Sequence, residues 1–276
     1  MIATRLFRTY STCCTFPNVS QIFRIGSVSY LNAKPLIFGL ENSPDIKLSL
    51  DVPANLLRGL ATELLDVALL PVIDFQRLPG LRMLDSGGIG SDGETLTVRI
   101  FSPKPLKEIQ TLACDPESHT SVALAQIVMA ETFGIRPRLI NLGPDVPSDA
   151  ARLLIGDKVV TQQPTGMEHQ LDLGAAWKNL TGMPFVFAVW TARGDVELGD
   201  LPARLERARR EGLANLPKII QQFAVPTGWP ADLAMKYLKN NLKFEVGPRE
   251  FKAIGRFFEF AVKHGILPSI RGNRRG

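Results

Sequence analysis

Cysteine and histidine are scarce in this chain of 276 residues, with three of each. Cys13 and Cys14 are adjacent and Cys114 stands alone, so the cysteines cannot form a disulfide framework. The three histidines show no metal-ligand spacing. The sequence therefore excludes a disulfide-stapled secreted domain and the usual kinds of zinc enzyme, and we expect no metal site.

Long hydrophobic runs are also missing. The longest apolar run, Phe185 to Trp190, has about six residues, whereas a membrane-spanning helix needs roughly 20. We therefore expect no association with a membrane. With 45% hydrophobic and 21% charged residues, the chain can still bury a sizeable core in one or two domains.

Acidic residues are few in the last quarter of the chain. Residues 201–276 contain 15 Lys or Arg against 6 Asp or Glu, whereas residues 1–200 contain 17 against 21. A nucleic-acid interface would need basic and aromatic residues interleaved on one surface. We interpret the C-terminal basic residues as solvated faces of amphipathic helices, and no nucleic-acid partner is expected.

The first 23 residues contain Arg5 and Arg8, many Ser and Thr, and no acidic residue. Their composition is similar to that of a transit peptide, but no apolar stretch is long enough for a secretory signal. We interpret residues 1–23 as a disordered leader or a mis-assigned start, with a targeting segment left open. Without an export signal, the expected location is the cytoplasm, where thiols stay reduced.

From Phe23 onward, strand and helix patterns alternate until about residue 193, and only helical patterns follow from Leu201 to His264. This order predicts an α/β fold with two lobes and two crossings between them, near residues 94–102 and 185–192. We assign residues 24–97 plus 190–276 to the first lobe and residues 98–189 to the second. The layout is that of a type II periplasmic-binding-protein-like fold, in which a small ligand binds in the cleft between lobes.

Gly88, Gly90 and Gly93 spell the G-x-G-x-x-G pattern of dinucleotide-binding proteins. That function needs the glycines to open a helix, whereas here an alternating strand pattern follows, from Thr95 to Ile100. We therefore exclude a dinucleotide site and predict a loop that exposes its backbone.

Small polar side chains cluster where the predicted strands end. Asn32 and Ser118 each precede a predicted helix and suit its N-cap. Free N–H groups at these helix starts would bind carboxylates or phosphates well. His119 could act as a general base or hold an anion, whereas Cys114 is interpreted as a small buried hydrophobe. The polar candidates are Ser27, Ser29, Asn32, Ser91, Asp92, Ser118, Thr120, Ser121 and Asp157.

Six sequence stretches, in the same order, resemble the chorismate dehydratases of the futalosine route to menaquinone. The resemblance covers roughly residues 24–193 and is weaker in the C-terminal helices. Gly90 stands where a serine is expected, and His119 stands where an arginine is commoner. The matching stretches are IGSVSYLNAKPL (25–36), DVALLPV (66–72), GSDG (90–93), DPESHTSVAL (115–124), LIGD (154–157) and DLGAAWKNLTGMPFVFAVW (172–190).

The resemblance implies a lyase that dehydrates chorismate to 3-[(1-carboxyvinyl)oxy]benzoate, with no metal or organic cofactor. Its partner would be this small molecule, and a homodimer is left open. The implied catalytic residues are Asn32 and Ser91. The implied substrate-binding residues are Ser27, Tyr30, Leu31, Asp92, Gly93, His119, Thr120, Ser121, Gly156 and Asp157.

Two other functions stay open on the same fold. One is the related 1,4-dihydroxy-6-naphthoate synthase, and the other is a solute-binding protein that feeds a transporter. The dehydration itself makes the substrate ring aromatic, so neutral hydrogen-bond donors could suffice around a dianionic substrate. We therefore predict that the substrate's own carboxylate takes the ring proton.

Overall fold

The computed structural model describes residues 21–115 and 118–272. Residues 1–20 of the predicted leader lie outside the described residues. Within the described residues, the strands are β1 (Phe23–Ser27), β2 (Ile46–Leu50), β3 (Val67–Pro71), β4 (Leu81–Ser91), β5 (Val98–Ser102), β6 (Thr111–Cys114), β7 (Arg138–Asn141), β8 (Ala151–Ile155), β9 (His169–Asp172), β10 (Phe185–Arg193) and β11 (Leu242–Lys243).

Helices separate most of these strands. The α-helices are α1 (Pro53–Ala61), α2 (Val72–Phe75), α3 (His119–Phe133), α4 (Lys158–Thr161), α5 (Leu173–Thr181), α6 (Leu201–Ala214), α7 (Leu216–Ile219), α8 (Ala231–Lys236) and α9 (Pro248–Lys263). Four 3-10 segments span Leu31–Ile37, Leu40–Asn42, Leu106–Glu108 and Val225–Thr227, and two π-helical segments span Ile220–Ala224 and Tyr237–Asn241, all within the described ranges.

The larger sheet has six strands in the order β11-β4-β10-β3-β1-β2. β1 pairs in parallel with both β2 and β3, whereas β10 runs antiparallel to β3 and β4. β3 is buried along its whole length, as expected for a continuous apolar strand covered on both faces of the sheet.

The smaller sheet has five strands in the order β7-β6-β8-β5-β9. β6 pairs in parallel with β7 and β8, and β5 pairs antiparallel with β8 and β9. The lobe boundaries at residues 97/98 and 189/190 stay predictions. Strand β10 pairs in the larger sheet along its whole length, from Phe185 onward.

An aromatic cluster joins helices α5 and α9 to strand β10. The Trp177 ring, on α5, lies edge-on to Phe185 of β10 at 5.3 Å and to Phe260 of α9 at 5.7 Å between ring centroids. Phe257 of α9 contacts the Phe185 ring at 5.0 Å. Since such edge-on pairs stabilise beyond their buried area, the C-terminal helix α9 fixes β10 against α5.

The predicted glycine loop is wrong. Gly88 and Gly90 lie inside β4, paired with β10. A Cβ atom on Gly88 would lie 2.5 Å from the Ala188 carbonyl oxygen, and one on Gly90 would lie 2.7 Å from that of Phe185. The glycines therefore allow close strand pairing, which periodicity alone does not reveal.

Candidate active site

A pocket of about 650 Å³, partly open to solvent, lies where ends of the two sheets meet. The larger sheet contributes residues at the ends of β1 and β3 and from β4 and β10. The smaller sheet contributes the start of β5, the end of β8 and the N-terminus of α3. The lining is mostly apolar with a few polar groups, as is usual for small-molecule sites. Besides the predicted residues, it includes Val28, Pro71, Ile89, Phe187 and Ala188.

Half of the predicted site residues lie on the pocket wall and half do not. Those on the wall are Tyr30, Asn32, His119, Thr120, Ser121 and Gly156. Those behind or beside the wall are Ser27, Leu31, Ser91, Asp92, Gly93 and Asp157.

Asn32 lies in the 3-10 segment Leu31–Ile37 and is not its cap. The N-cap position belongs to Tyr30, whose side chain makes no capping hydrogen bond. The predicted N-cap role of Asn32 is therefore wrong. Its Oδ1 atom is buried and has no hydrogen-bond partner. An unpartnered acceptor on a pocket wall costs stability unless a ligand satisfies it.

Ser91 ends β4 and is buried behind the wall. Its Oγ atom also has no hydrogen-bond partner. A Cβ atom on Gly174, in the first turn of α5, would lie 2.7 Å from Ser91 Oγ and 2.3 Å from the Thr95 methyl group. Thr95 itself lines the pocket, so the Thr95 side chain is what stands between the unpartnered Ser91 hydroxyl and the pocket.

Ser27 and Leu31 are core residues. The Ser27 side chain is fully buried and donates a hydrogen bond to the Val28 carbonyl oxygen at 3.3 Å. Leu31 belongs to the hydrophobic core. Ser27 was predicted as a polar group at a strand end and Leu31 through the family resemblance, and neither residue lines the pocket.

Asp92 is held in ion pairs. Lys178 Nζ lies 2.5 Å from Oδ1 and Arg249 Nη1 lies 2.9 Å from Oδ2. These hydrogen bonds hold the pKa of Asp92 below its ordinary value. Gly93 follows with φ of +133°, a conformation that favours glycine. The two residues therefore connect β4 to α5 and α9 instead of facing the pocket.

His119 is paired with a buried carboxylate. Its Nδ1 atom lies 2.7 Å from Asp74 Oδ2, and the Asp74 side chain is fully buried. Asp74 also faces Arg77, whose Nη1 lies 2.8 Å from Oδ1. Because Asp74 accepts a hydrogen bond from Nδ1–H, it orients the ring and leaves Nε2 for a ligand, to which Nε2 donates only in the imidazolium form.

Thr120 and Ser121 lie in the first turn of α3, next to His119. The Thr120 hydroxyl accepts a hydrogen bond from the Ile73 N–H group at 3.4 Å. The first N–H groups of a helix have no acceptor within that helix. The start of this 15-residue helix therefore offers several donors to an anion in the pocket.

Asp157 follows β8 and is largely enclosed. It accepts a hydrogen bond from Trp229 Nε1 at 3.1 Å. Burial raises the pKa of Asp157, and the Trp229 hydrogen bond and the Lys34 charge reduce this increase. Burial also lowers the pKa of Lys34, which lies 4.5 Å above the Phe223 ring.

Asp157→Asn is expected to raise Tm by about 2 °C at pH 7 and to have little effect at pH 4. A carboxyl group whose pKa is raised by folding holds its proton more tightly in the folded state. Its contribution to stability is therefore lost as pH rises from the unfolded pKa through the folded one. The asparagine side chain can still accept the hydrogen bond from Trp229 Nε1 but carries no charge. Thermal melts between pH 4 and 8 measure the difference.

Asp149→Asn is the matched control, because hydrogen bonding to Lys104 lowers the pKa of that exposed carboxyl. Its effect on Tm should have the opposite sign at neutral pH. A fall in Tm for Asp157→Asn that grows between pH 4 and 7 would contradict the interpretation.

Sequence reasoning missed four polar residues of this region, one of which is Thr95 on the pocket wall. Thr97 and Tyr237 line the pocket, and the Thr97 hydroxyl donates to the Tyr237 oxygen at 2.8 Å. Asp74 supports His119 from α2. These partners are separated by 140 and 45 positions, and no local pattern links them.

Cys114 is 5% exposed, and burial raises its pKa to about 12, so it is the small buried hydrophobe that was predicted. Across residues 21–115 and 118–272, no group of three or more His, Cys, Asp or Glu could hold a metal ion. In the same residues, no helix has both the length and the apolar character to cross a membrane.

The sequence model of a family described as menaquinone biosynthesis matches residues 23–263. The chain belongs to this family. Two relatives of this chain are chorismate dehydratases. That of Thermus thermophilus is 28% identical over 237 residues, which cover 78% of this chain and 87% of the relative. That of Campylobacter jejuni is 26% identical over 243 residues, which cover 84% and 94%.

The fold of this menaquinone biosynthesis family member is shared with binding proteins. The periplasmic aliphatic sulphonate-binding protein of Escherichia coli superposes with a TM-score of 0.64 at 13% identity, covering 93% of this chain and 94% of the other. At that identity the likeness shows the fold alone. The predicted two-lobed periplasmic-binding-protein-like α/β fold is confirmed.

Proposed function

We propose that this protein is a cytoplasmic lyase that removes water from chorismate, giving 3-[(1-carboxyvinyl)oxy]benzoate for menaquinone biosynthesis. The observation that carries the proposal is the family membership, together with two relatives named chorismate dehydratase. The pocket supports it, because neutral donors and a helix N-terminus line it and would bind the carboxylates of a small dianion.

The reaction removes the ring proton beside the ether and the neighbouring hydroxyl group. The ring becomes aromatic, so much of the driving force lies in the substrate. The role of the protein is then to hold both carboxylates and the leaving hydroxyl in a reactive geometry. We assign one carboxylate to His119, Thr120 and Ser121, and the leaving hydroxyl to Asn32.

The base in this proposal is the enolpyruvyl carboxylate of the substrate. Asp157 does not belong to the pocket wall and is occupied by Trp229, which argues against a direct role in proton transfer. With Nδ1–H donated to Asp74, His119 holds a substrate carboxylate in its imidazolium form, which also carries an Nε2–H group. The proton taken from the ring ends on the departing hydroxide, so the products are the aromatic ether and water.

The test is incubation of the purified protein with chorismate, followed by chromatography and mass determination. Conversion to a product lighter by one water supports the proposal. Chorismate that is bound but returned unchanged would favour a solute-binding protein, a function that the shared fold allows. Absence of both binding and conversion would leave the related naphthoate synthase reaction as the next assay.

We expect kcat to change less than about threefold between pH 6 and 9, because the substrate carboxylate stays ionised throughout that range. His119→Gln should raise KM about tenfold and leave the kcat profile flat, since a donor to a carboxylate is weakened. His169→Gln, on β9 and away from the pocket, is the matched control and should have no effect.

Two results would show that a protein side chain, and not the substrate carboxylate, takes the ring proton. One is a sigmoidal kcat profile in the parent that disappears in His119→Gln. The other is a loss of about a thousandfold in Asp157→Asn with an unchanged melting transition.

A further inference from the structure

Tyr237 is the first residue of the π-helical segment Tyr237–Asn241, between α8 and β11. Its side chain is 1% exposed in this structure and forms part of the pocket wall. π-Helical turns are rare and frequently occur at functional sites. The segment thus carries a phenol hydroxyl from the C-terminal region to the pocket.

The ring of Tyr237 is fixed by a second aromatic side chain. The Trp229 ring stacks on it, with 5.2 Å between centroids and 23° between planes. Trp229 is fixed in turn by the hydrogen bond from Nε1 to Asp157. The position of the Tyr237 hydroxyl is therefore determined by packing before any ligand binds.

Both lone pairs of the Tyr237 oxygen have donors nearby. Thr97 Oγ1 donates to it at 2.8 Å. Burial raises the pKa of Tyr237, and hydrogen bonds from Thr97 and Asn32 oppose this increase. Asn32 is therefore a hydrogen-bonding neighbour of the Tyr237 hydroxyl. The hydroxyl proton of Tyr237 is left to donate elsewhere.

The amide of Asn32 offers a free acceptor. Its Oδ1 atom is buried and has no hydrogen-bond partner. Asn32 and Tyr237 both line the pocket. The pocket therefore presents an acceptor, Asn32 Oδ1, beside a donor, the Tyr237 hydroxyl.

We propose that Tyr237 and Asn32 form a donor and acceptor pair that binds one alcohol group of the ligand. A hydroxyl group donates once and accepts as well, so it satisfies both protein atoms at the same time. The inference rests on the proposed function for its substrate, in which this alcohol is the leaving hydroxyl. As the carbon–oxygen bond breaks, the oxygen gains negative charge and the Tyr237 hydrogen bond strengthens.

Tyr237→Phe keeps the ring and its stacking on Trp229 but removes the donor. We expect kcat for chorismate to fall about 100-fold with KM changed less than about threefold, because the hydrogen bond is strongest in the transition state. The reaction product 3-[(1-carboxyvinyl)oxy]benzoate has no leaving hydroxyl. Its inhibition constant should therefore be equal for the parent and the variant.

Thr97→Val is the matched control, since it removes one donor to the tyrosine oxygen and keeps the Tyr237 hydroxyl. The Thr97→Val variant should lower kcat by less than about tenfold. Equal loss of chorismate turnover and product binding in Tyr237→Phe would indicate a merely structural role and overturn the inference, as would unchanged kinetics.

Calorimetry separates this inference from the proposed function. If the parent binds chorismate without converting it, the dehydratase proposal fails. The preference of the parent for chorismate over the hydroxyl-free product should then still fall in Tyr237→Phe, by about two- to threefold, and an unchanged preference would overturn the alcohol site. A parent that binds neither compound would overturn both proposals.

Discussion

Asn32→Leu is expected to lower kcat for chorismate dehydration about a thousandfold while Tm stays level or rises. Leucine has nearly the size of asparagine but has no amide to orient the leaving hydroxyl and the Tyr237 hydroxyl beside it. The Asn32 Oδ1 atom is buried and unpartnered, so replacing it with an apolar group removes a desolvation cost. Activity and stability should therefore move in opposite directions, as is common for residues kept for function.

Steady-state kinetics and thermal melts of the same preparation measure both quantities. Asn42→Leu is the control, because Asn42 lies on the next 3-10 segment and is exposed. That variant should keep full activity. If Asn32→Leu melts several degrees lower and its folded fraction turns over chorismate normally, Asn32 serves the fold alone.

Gly212→Ala should lower the free energy of unfolding by about 3 kcal/mol or more. Gly212 lies in α6, where a Cβ atom would come within 2.2 Å of the Pro35 carbonyl oxygen and 2.6 Å of Pro35 Cα. Both are backbone atoms of the 3-10 segment that carries Asn32, so they cannot yield by rotating a side chain. Any folded fraction should also be less active, because Asn32 would be displaced.

Gly255→Ala is the matched control on a second helix. Gly255 lies in α9, and a Cβ atom there would meet no other atom within 4 Å. Alanine favours helix over glycine by about 1 kcal/mol, so this variant should melt a few degrees higher. Denaturant unfolding of the two variants compares them directly, and a Gly212→Ala variant as stable as Gly255→Ala would show that α6 does not pack closely on the 3-10 segment.

Elements with a strong local pattern could be predicted from the sequence. Helix α3 runs from His119 to Phe133, and α5 begins after Asp172 and closes at Gly182. Asp172 Oδ1 accepts hydrogen bonds from the N–H groups of Gly174 and Ala175 and so caps α5 locally. Burial and capping within ten or fifteen residues are enough to fix such elements.

The rest depended on contacts between distant parts of the chain. The glycines of β4 suggested a loop in the sequence. They are needed because carbonyl oxygens of β10 approach closely, and β10 lies about 100 positions away in the chain. The two-residue strand β11 is too short for any period to show. Tyr237 gave no signal because its partners, Thr97 and Asn32, precede it by more than a hundred residues.

The strand order of the larger sheet also constrains how the chain folds as it is synthesised. All strands of the smaller sheet lie between Val98 and Asp172, so that sheet can complete as soon as this segment leaves the ribosome. The larger sheet must wait, since β10 joins β3 to β4 and is made later. A nascent chain halted before Phe185 exposes an open edge of β3 and both edges of β4, which are prone to intermolecular pairing. Chaperone dependence should thus peak in the interval before β10 emerges.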